Sequence, residues 1–158
     1  MDRETFSREV WALRAGMLRF AMSRLHRRQD AEDVVQDAVL AAWERLHTLR
    51  DEALFRTWMM SIVSNKCKMA LRKRGRETLP GELPEQAVPR DREAEALWES
   101  VCALPDALRA PIVLHYYEGF KIEEVSAILR VRMGTVAARM GRARKRLKEE
   151  LCQKGESK

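Results

Sequence analysis

The sequence predicts an all-α protein of two small helical domains that are joined by a Pro-containing acidic linker. Apolar residues recur at helical spacing along most of the 158 residues, a length that can bury two modest cores. Pro80, Gly81, Pro84 and Pro89 interrupt that pattern between the domains. We place the domains at residues 1–76 and 93–151, the linker at 77–92 and a polar tail, expected to fray, at 152–158.

The first two predicted helices each present one apolar stripe. Residues 2–27 form the first, in which Gly16 marks a kink and the apolar residues are Phe6, Val10, Trp11, Leu13, Leu18, Phe20, Ala21 and Leu25. Asp30 is a suitable N-cap for the second. Its core positions are Ala31, Val34, Val35, Ala38, Val39, Ala42, Trp43 and Leu46.

The opposite face of the second helix is acidic. Asp33, Gln36 and Asp37 lie three and four residues apart, so two carboxylates and an amide share one surface. Catalytic carboxylates would need a cleft and a neighbour that perturbs their pKa, and the sequence indicates neither. The face is therefore either a docking surface for a charged partner or a solvated surface.

A third helix is predicted from Ala53 to Arg74, and its second half is basic. The apolar stripe is Leu54, Phe55, Trp58, Met59, Ile62, Val63 and Leu71, and the cations are Lys66, Lys68, Arg72, Lys73, Arg74 and Arg76. Cations near a helix C-terminus also complement the helix dipole, which is the structural alternative. The aromatic ring of Trp58 and the amide of Asn65, next to this charge, favour single-stranded nucleic acid as a ligand.

The second domain begins with a helix near Glu93. Pro105 stands in the first turn of the next helix, where proline is tolerated. Pro111 cannot donate to the helical ladder and predicts a kink before residues 112–117. Gly119 is suited to stop that helix.

Residues 119–147 have the pattern of a helix-turn-helix. One stripe joins Ile122, Val125, Ile128 and Leu129, with Glu123 and Glu124 facing water, and a second joins Met133, Val136, Met140, Ala143 and Leu147. Ala138, Arg142 and Lys145 point away from the second stripe, flanked by Thr135, Gly141 and Arg146. A basic outer face of this kind suits a DNA groove, whereas a solvated helix that only packs is the alternative.

Composition narrows the functional classes. The net charge of +6 and the pI near 9.5 arise from two basic segments around an acidic middle. Three cysteines without paired spacing indicate reduced thiols in a cytosolic protein rather than a zinc site. No apolar run is long enough to cross a membrane. Without a phosphate loop or a catalytic cluster, we expect no enzyme activity, metal or cofactor.

Two long segments resemble the extracytoplasmic-function sigma factors of bacterial RNA polymerase. DAEDVVQDAVLAAWERL followed by FRTWMMSIVSN is similar to region 2 of that family, and ALPDALRAPIVLHYYEGFKIEEVSAILRVRMGTVAARMGRARKRL is similar to region 4. With the linker between them, the segments cover nearly the whole chain in the family's order.

The resemblance implies roles for particular residues. Asp33, Gln36 and Asp37 match positions that dock on the largest polymerase subunit. Asn65 matches a position that holds a base flipped from the minus-ten element, residues 49–55 match the loop that shapes the base pocket, and Trp58, Lys66, Lys68, Arg72 and Arg74 are expected to bind DNA nearby. Contacts to the minus-thirty-five element are expected from Thr135, Ala138, Arg139, Arg142, Lys145 and Arg146.

The chain departs from the family after the residues GTV. The family usually has a basic residue, a serine and a larger side chain where this chain has Ala137, Ala138 and Gly141. None of these three can make a bidentate bond to a base edge. Arginine and lysine contacts to phosphates position a helix without specifying sequence. We therefore expect weak base discrimination by the second domain.

The sequence thus predicts a cytoplasmic sigma factor that binds core RNA polymerase and promoter DNA and helps to melt the minus-ten element. An anti-sigma factor is a further possible partner, and no membrane insertion is expected. One alternative is a helix-turn-helix regulator that never joins polymerase. The other is a nucleic-acid enzyme, which would need a catalytic constellation that the sequence does not display.

Overall fold

The computed structural model describes residues 1–75 and 92–156, with side chains as far as residue 153. Seven α-helices form this part of the chain, and no β-strand occurs in it, which confirms the all-α prediction. The helices are α1 (Arg3–Leu25), α2 (Arg28–Glu44), α3 (Phe55–Arg74), α4 (Arg92–Cys102), α5 (Asp106–Ile112), α6 (Ile122–Leu129) and α7 (Met133–Glu156). The predicted linker lies almost entirely outside the described residues.

Helices α1, α2 and α3 pack around one apolar core. Met17 and Phe20 from α1 are buried against Phe55, Met59 and other residues of α3. Two short 3₁₀ turns, Leu46–Thr48 and Glu52–Leu54, connect α2 to α3. Because the connection is short, α2 and α3 lie side by side along most of their length.

Three apolar residues that were predicted to be in this core are exposed. Trp11 is 74% exposed, because it lies about 140° round α1 from Phe6 and so misses the sector that faces α2 and α3. Trp43 is 46% exposed and covers the Phe6 ring with one side only, at a centroid distance of 5.2 Å. Leu54 is 57% exposed because it belongs to the 3₁₀ turn before α3 rather than to the helix.

The ends of α1 and α2 also differ from the prediction. Asp2 caps α1 by accepting a 2.8 Å hydrogen bond from the Thr5 amide, and the helix is continuous through Gly16. His26 ends α1 in the left-handed conformation, with φ of 58°. The chain therefore turns early, so Arg27 rather than Asp30 is the N-cap of α2. Asp30 instead lies in the first turn, where the helix dipole favours a carboxylate.

The buried residues of the C-terminal helices continue the same hydrophobic cluster. Trp98, Leu114, Phe120, Val125 and Met140 are among its buried members. Helix α5 runs through Pro111 and widens at once into a π-helical turn, Val113–Tyr117, and Gly119 then leaves it with φ of 75°. Pro111 supplies no N–H to the ladder, which accounts for a helical irregularity at this point.

The helix-turn-helix prediction holds with two corrections, which concern Met133 and Glu124. Arg130 takes the left-handed conformation between α6 and α7, with φ of 56°. Met133 is 47% exposed because it is the first residue of α7 and no preceding turn covers it. Glu124 contacts Thr57 instead of facing only water. The tail predicted to fray is helical as far as Glu156.

Candidate nucleic-acid and partner-docking surfaces

The acidic face of α2 is present as the residue spacing predicts. Asp33, Gln36 and Asp37 are all exposed on the side opposite the core. Gln29 orients Asp33 by donating a 3.0 Å hydrogen bond from Nε2 to Oδ1. The arrangement offers carboxylate oxygens as acceptors for arginine or lysine side chains of a partner.

An apolar patch that the sequence analysis missed extends this face. Leu40 is 59% exposed and lies one helical turn beyond Gln36 and Asp37, and Trp43 lies beside it. The sequence did contain a signal for this patch, because Leu40 stands four residues after Gln36 and three after Asp37. A buried apolar centre with charged surroundings is the usual anatomy of a protein–protein interface.

A groove of about 730 Å³ separates α2 from α3. Asp30, Asp33 and Asp37 line one wall, and Lys66 and Lys73 are among the residues of the other. The acidic and basic segments were predicted as separate surfaces, whereas the tertiary structure places them on opposite walls of one groove. Asp33, Asp37 and Lys73 are exposed, so charges of both signs remain available to partners.

The predicted minus-ten residues on α3 divide between two faces. Trp58, Asn65, Lys68 and Arg72 lie within one sector of about 80° of the helix, and Lys68 and Arg72 are exposed. This sector combines an aromatic ring, an amide and two cations. Its central amide donates to a soft acceptor in its own helix, since Asn65 Nδ2 lies 3.9 Å from the sulfur of Met69.

Lys66 and Arg74 face the groove instead, about 80° and 160° round α3 from Trp58. Arg74 donates a short hydrogen bond to the Leu25 carbonyl and lies 3.6 Å from an Asp30 carboxylate oxygen. Its side chain is only 18% exposed. Arg74 therefore ties the end of α3 to the α1–α2 corner and is less available to DNA than Lys68 or Arg72.

The outer face of α7 is exposed and basic. Val136, Met140, Ala143 and Leu147 are buried, whereas Ala138, Arg142 and Lys145 face solvent. Gly141 and Arg146 are exposed beside them, and Thr135 and Arg139 are partly buried at the margin. A Cβ atom added at Gly141 would meet nothing within 4 Å, so this face is open.

The described residues contain no group of three or more side chains able to hold a metal ion. All three cysteines are free thiols. Burial raises the pKa of the Cys67 thiol to about 12, and it raises that of Cys102 to about 12 as well, so neither is a nucleophile at neutral pH. Over the ranges that the structure covers, none of the helices is long and apolar enough to cross a membrane.

Comparison with known families matches both halves of the chain. The family model of Sigma-70 region 2 matches residues 12–77, and that of Sigma-70, region 4 matches residues 94–147. The RNA polymerase sigma-H factor of Pseudomonas aeruginosa is 28% identical, over 95% of this chain and 88% of the relative. The ECF RNA polymerase sigma factor SigW of Bacillus subtilis is 27% identical, over 95% of this chain and 90% of the relative.

Solved structures agree with the sequence comparison. The sigma factor RpoE from Bartonella quintana, solved in complex with the anti-sigma factor NepR, superposes with a TM-score of 0.80. The two share 28% sequence identity, and the alignment covers 94% of this chain and 97% of RpoE. The chain therefore belongs to the sigma-70 family and is a sigma factor of the extracytoplasmic-function group, built from region 2 and region 4.

Proposed function

We propose that the chain divides the work of a sigma factor among three surfaces. The α2 face of Asp33, Gln36 and Asp37, extended by Leu40 and Trp43, docks on core RNA polymerase. The α3 sector around Asn65 binds the minus-ten element, and α7 anchors the upstream promoter. The single observation that carries this division is that α2 and α3 expose an acidic-apolar face and a basic-aromatic face on one three-helix unit.

The α2 face suits a protein partner better than DNA. Its exposed carboxylates, Asp33 and Asp37, would be repelled by phosphates. Leu40 and Trp43 supply apolar area that gains free energy when a partner covers it. Charge then guides the encounter and the apolar contact stabilises the complex.

The α3 sector has the composition needed to capture an unstacked base. Extruding a base costs a few kcal/mol, and a pocket that hydrogen-bonds one base edge can repay that cost selectively. In this proposal the Asn65 amide reads the base, the Trp58 ring offers a stacking surface, and Lys68 and Arg72 hold phosphates nearby. Lys66 and Arg74 act from the groove side and contribute less directly.

Helix α7 is proposed to position the protein rather than to read bases. Arg139, Arg142, Lys145 and Arg146 can contact phosphates, and Thr135 can donate a hydrogen bond at the margin. Ala138 and Gly141 allow close approach to the duplex but offer no bidentate contact to a base. Sequence choice therefore falls mainly to α3.

The proposal includes no catalytic step in this chain, because RNA polymerase carries the chemistry of transcription. It also places the protein in the cytoplasm, where it meets polymerase and promoter DNA. An anti-sigma factor is a proposed partner, because the similar RpoE structure was solved in complex with the anti-sigma factor NepR.

Two variants test the α3 and α2 assignments separately. Asn65→Ala should impair promoter opening, measured by permanganate footprinting, far more than binding to core polymerase. Asp33→Lys combined with Asp37→Lys should abolish core binding while leaving the chain folded, since both positions are exposed. Equal losses of core binding and opening for Asn65→Ala would refute the assignment of Asn65 to the flipped base.

A further inference from the structure

Met69 is an exposed methionine at the edge of the α3 sector proposed for the minus-ten element. Its side chain is 53% exposed, whereas Met17, Met59, Met60 and Met140 are at most 1% exposed. Oxidation of a methionine follows the access of the oxidant to its thioether sulfur. Met69 is therefore open to soluble oxidants from which these four methionines are shielded.

The sulfur of Met69 contacts the amide that is proposed to read the flipped base. Met69 follows Asn65 by four residues on α3, so the two side chains lie on one face of the helix, one turn apart. Helical side chains lean toward the N-terminus, which directs Met69 over the turn that carries Asn65. Asn65 Nδ2 lies 3.9 Å from the sulfur. Because a thioether is a weak acceptor, this contact competes little with a base for the amide.

Oxidation converts this weak acceptor into a strong one. Hydrogen peroxide gives one oxygen atom to the thioether: an S–O bond forms, the O–O bond breaks, the sulfur is oxidised by two electrons, and the peroxide is reduced to water. The product is a polar sulfoxide whose oxygen extends from the sulfur. That oxygen can come within the roughly 2.7–3.2 Å of Nδ2 that an N–H···O hydrogen bond requires.

We propose that Met69 is an oxidation site whose sulfoxide holds the Asn65 amide on its own helix and thereby prevents minus-ten recognition. The flipped base then loses the hydrogen bond that offsets the cost of its unstacking. Reductases convert methionine sulfoxide back to methionine, so the modification is reversible. The inference rests on the proposed role of Asn65 as the reader of the base.

Peroxide treatment of the full chain, before it meets polymerase, tests the site. Every protein carries Cys152→Ser, because Cys152 is an exposed free thiol that would also react. Catalase removes the peroxide, and peptide mass spectrometry measures the sulfoxide at each methionine. Untreated core polymerase is then added. Permanganate footprinting measures minus-ten opening, and an equilibrium titration measures core binding, because Met69 also lines the groove between α2 and α3.

The treated chain should carry sulfoxide at Met69 and at Met133, which is 47% exposed on α7. Minus-ten opening should fall about 3- to 10-fold, the range that the loss of one hydrogen bond gives. The affinity for core polymerase should change by less than about twofold, as is usual for a change at an exposed position. Methionine sulfoxide reductases A and B, with dithiothreitol as the reductant, should restore opening.

Three variants locate the effect, each compared with its own untreated sample. Met69→Leu should keep its opening after peroxide. Met133→Leu is the matched control and should lose opening as the parent chain does. Asn65→Ala lacks the amide that the sulfoxide would hold, so peroxide should leave its residual opening unchanged.

Normal opening by a chain that carries the Met69 sulfoxide would overturn the inference, and so would a core polymerase that binds this chain as poorly as the promoter opens. A peroxide-induced loss of opening in Met69→Leu, or a further loss in Asn65→Ala, would also overturn it. So would a Met69 that stays reduced while Met133 is oxidised.

The proposed function is checked separately with untreated proteins. If the untreated holoenzyme opens promoters and Asn65→Ala impairs opening, while the Met69 sulfoxide has no effect, only the oxidation site fails. If untreated Asn65→Ala opens promoters as the parent chain does, the assignment of Asn65 to the flipped base fails.

Discussion

Replacing Leu40 with alanine should weaken binding to core RNA polymerase by about 4- to 20-fold without destabilising the fold. Full burial of a leucine side chain is worth about 1.5–3 kcal/mol. Leu40 is 59% exposed, so contact with a partner can still contribute about 0.9–1.8 kcal/mol of that. Each 1.4 kcal/mol is a tenfold change in affinity, which gives the stated range. An exposed substitution of this kind changes folding stability by only about 0.5 kcal/mol or less.

The assay is an equilibrium titration of the chain with core polymerase, combined with urea unfolding of each variant. Leu97→Ala is the matched control, because Leu97 is 37% exposed on α4 and lies outside the proposed docking face. The control should bind core polymerase as the wild type does. If Leu40→Ala binds normally while Asp33→Lys combined with Asp37→Lys abolishes binding, the apolar extension of the docking face is wrong.

Three further outcomes follow from the structure. Ala138→Arg should tighten duplex binding and steepen the slope of log affinity against log salt by about 0.9, and an unchanged slope would show that α7 does not meet phosphates. Arg24→Ala should lower the urea-measured free energy of unfolding by about 1–3 kcal/mol. This loss is smaller than the loss from breaking a fully buried ion pair, because Asp106 is 37% exposed. His26→Asn should flatten the fall in Tm between pH 7 and pH 5, and a fall as steep as that of the wild type would show that protonation of His26 does not destabilise the fold.

The sign of the His26 effect follows from its surroundings. Burial lowers the pKa of His26, and the charges of Arg109 and Arg74 lower it further, against an opposing effect of Asp106. The unfolded chain therefore takes up the proton first, near pH 6.5, and unfolding is favoured as the pH falls below that value. Asparagine tolerates the left-handed conformation of this position, so the variant should keep the end of α1 intact.

Asp106 adds a second pH dependence at lower pH. Burial acts to raise the pKa of its carboxyl, but the hydrogen bonds and charges of Arg24 and Arg109 outweigh burial and hold that pKa below its usual value. The stabilisation from this carboxylate is thus fully present above about pH 4 and is lost as the pH falls through the lowered pKa. The Asp106 and His26 effects therefore occupy separate pH ranges.

The sequence predicted correctly the features that depend on helical periodicity. The register of α7 is the clearest case, since the spacing of Val136, Met140 and Ala143 already placed Ala138 and Arg142 on the outside. The acidic face of α2 followed in the same way. These features depend on residues three and four positions apart in one helix, and 3.6 residues per turn fixes their relative direction whatever the rest of the chain does.

Only the tertiary structure decided which faces remain uncovered and which charges meet. Trp43 has the hydrophobicity of a core residue, but its 46% exposure depends on how the neighbouring helices pack around it. Arg24 and Asp106 are 82 residues apart in the chain, and Arg19 and Glu118 are 99 apart. No local pattern links such residues, because their contact arises from the packing of the C-terminal helices on the N-terminal ones. Helical spacing therefore determined the surfaces of this sigma factor, and domain packing determined which of them are held together.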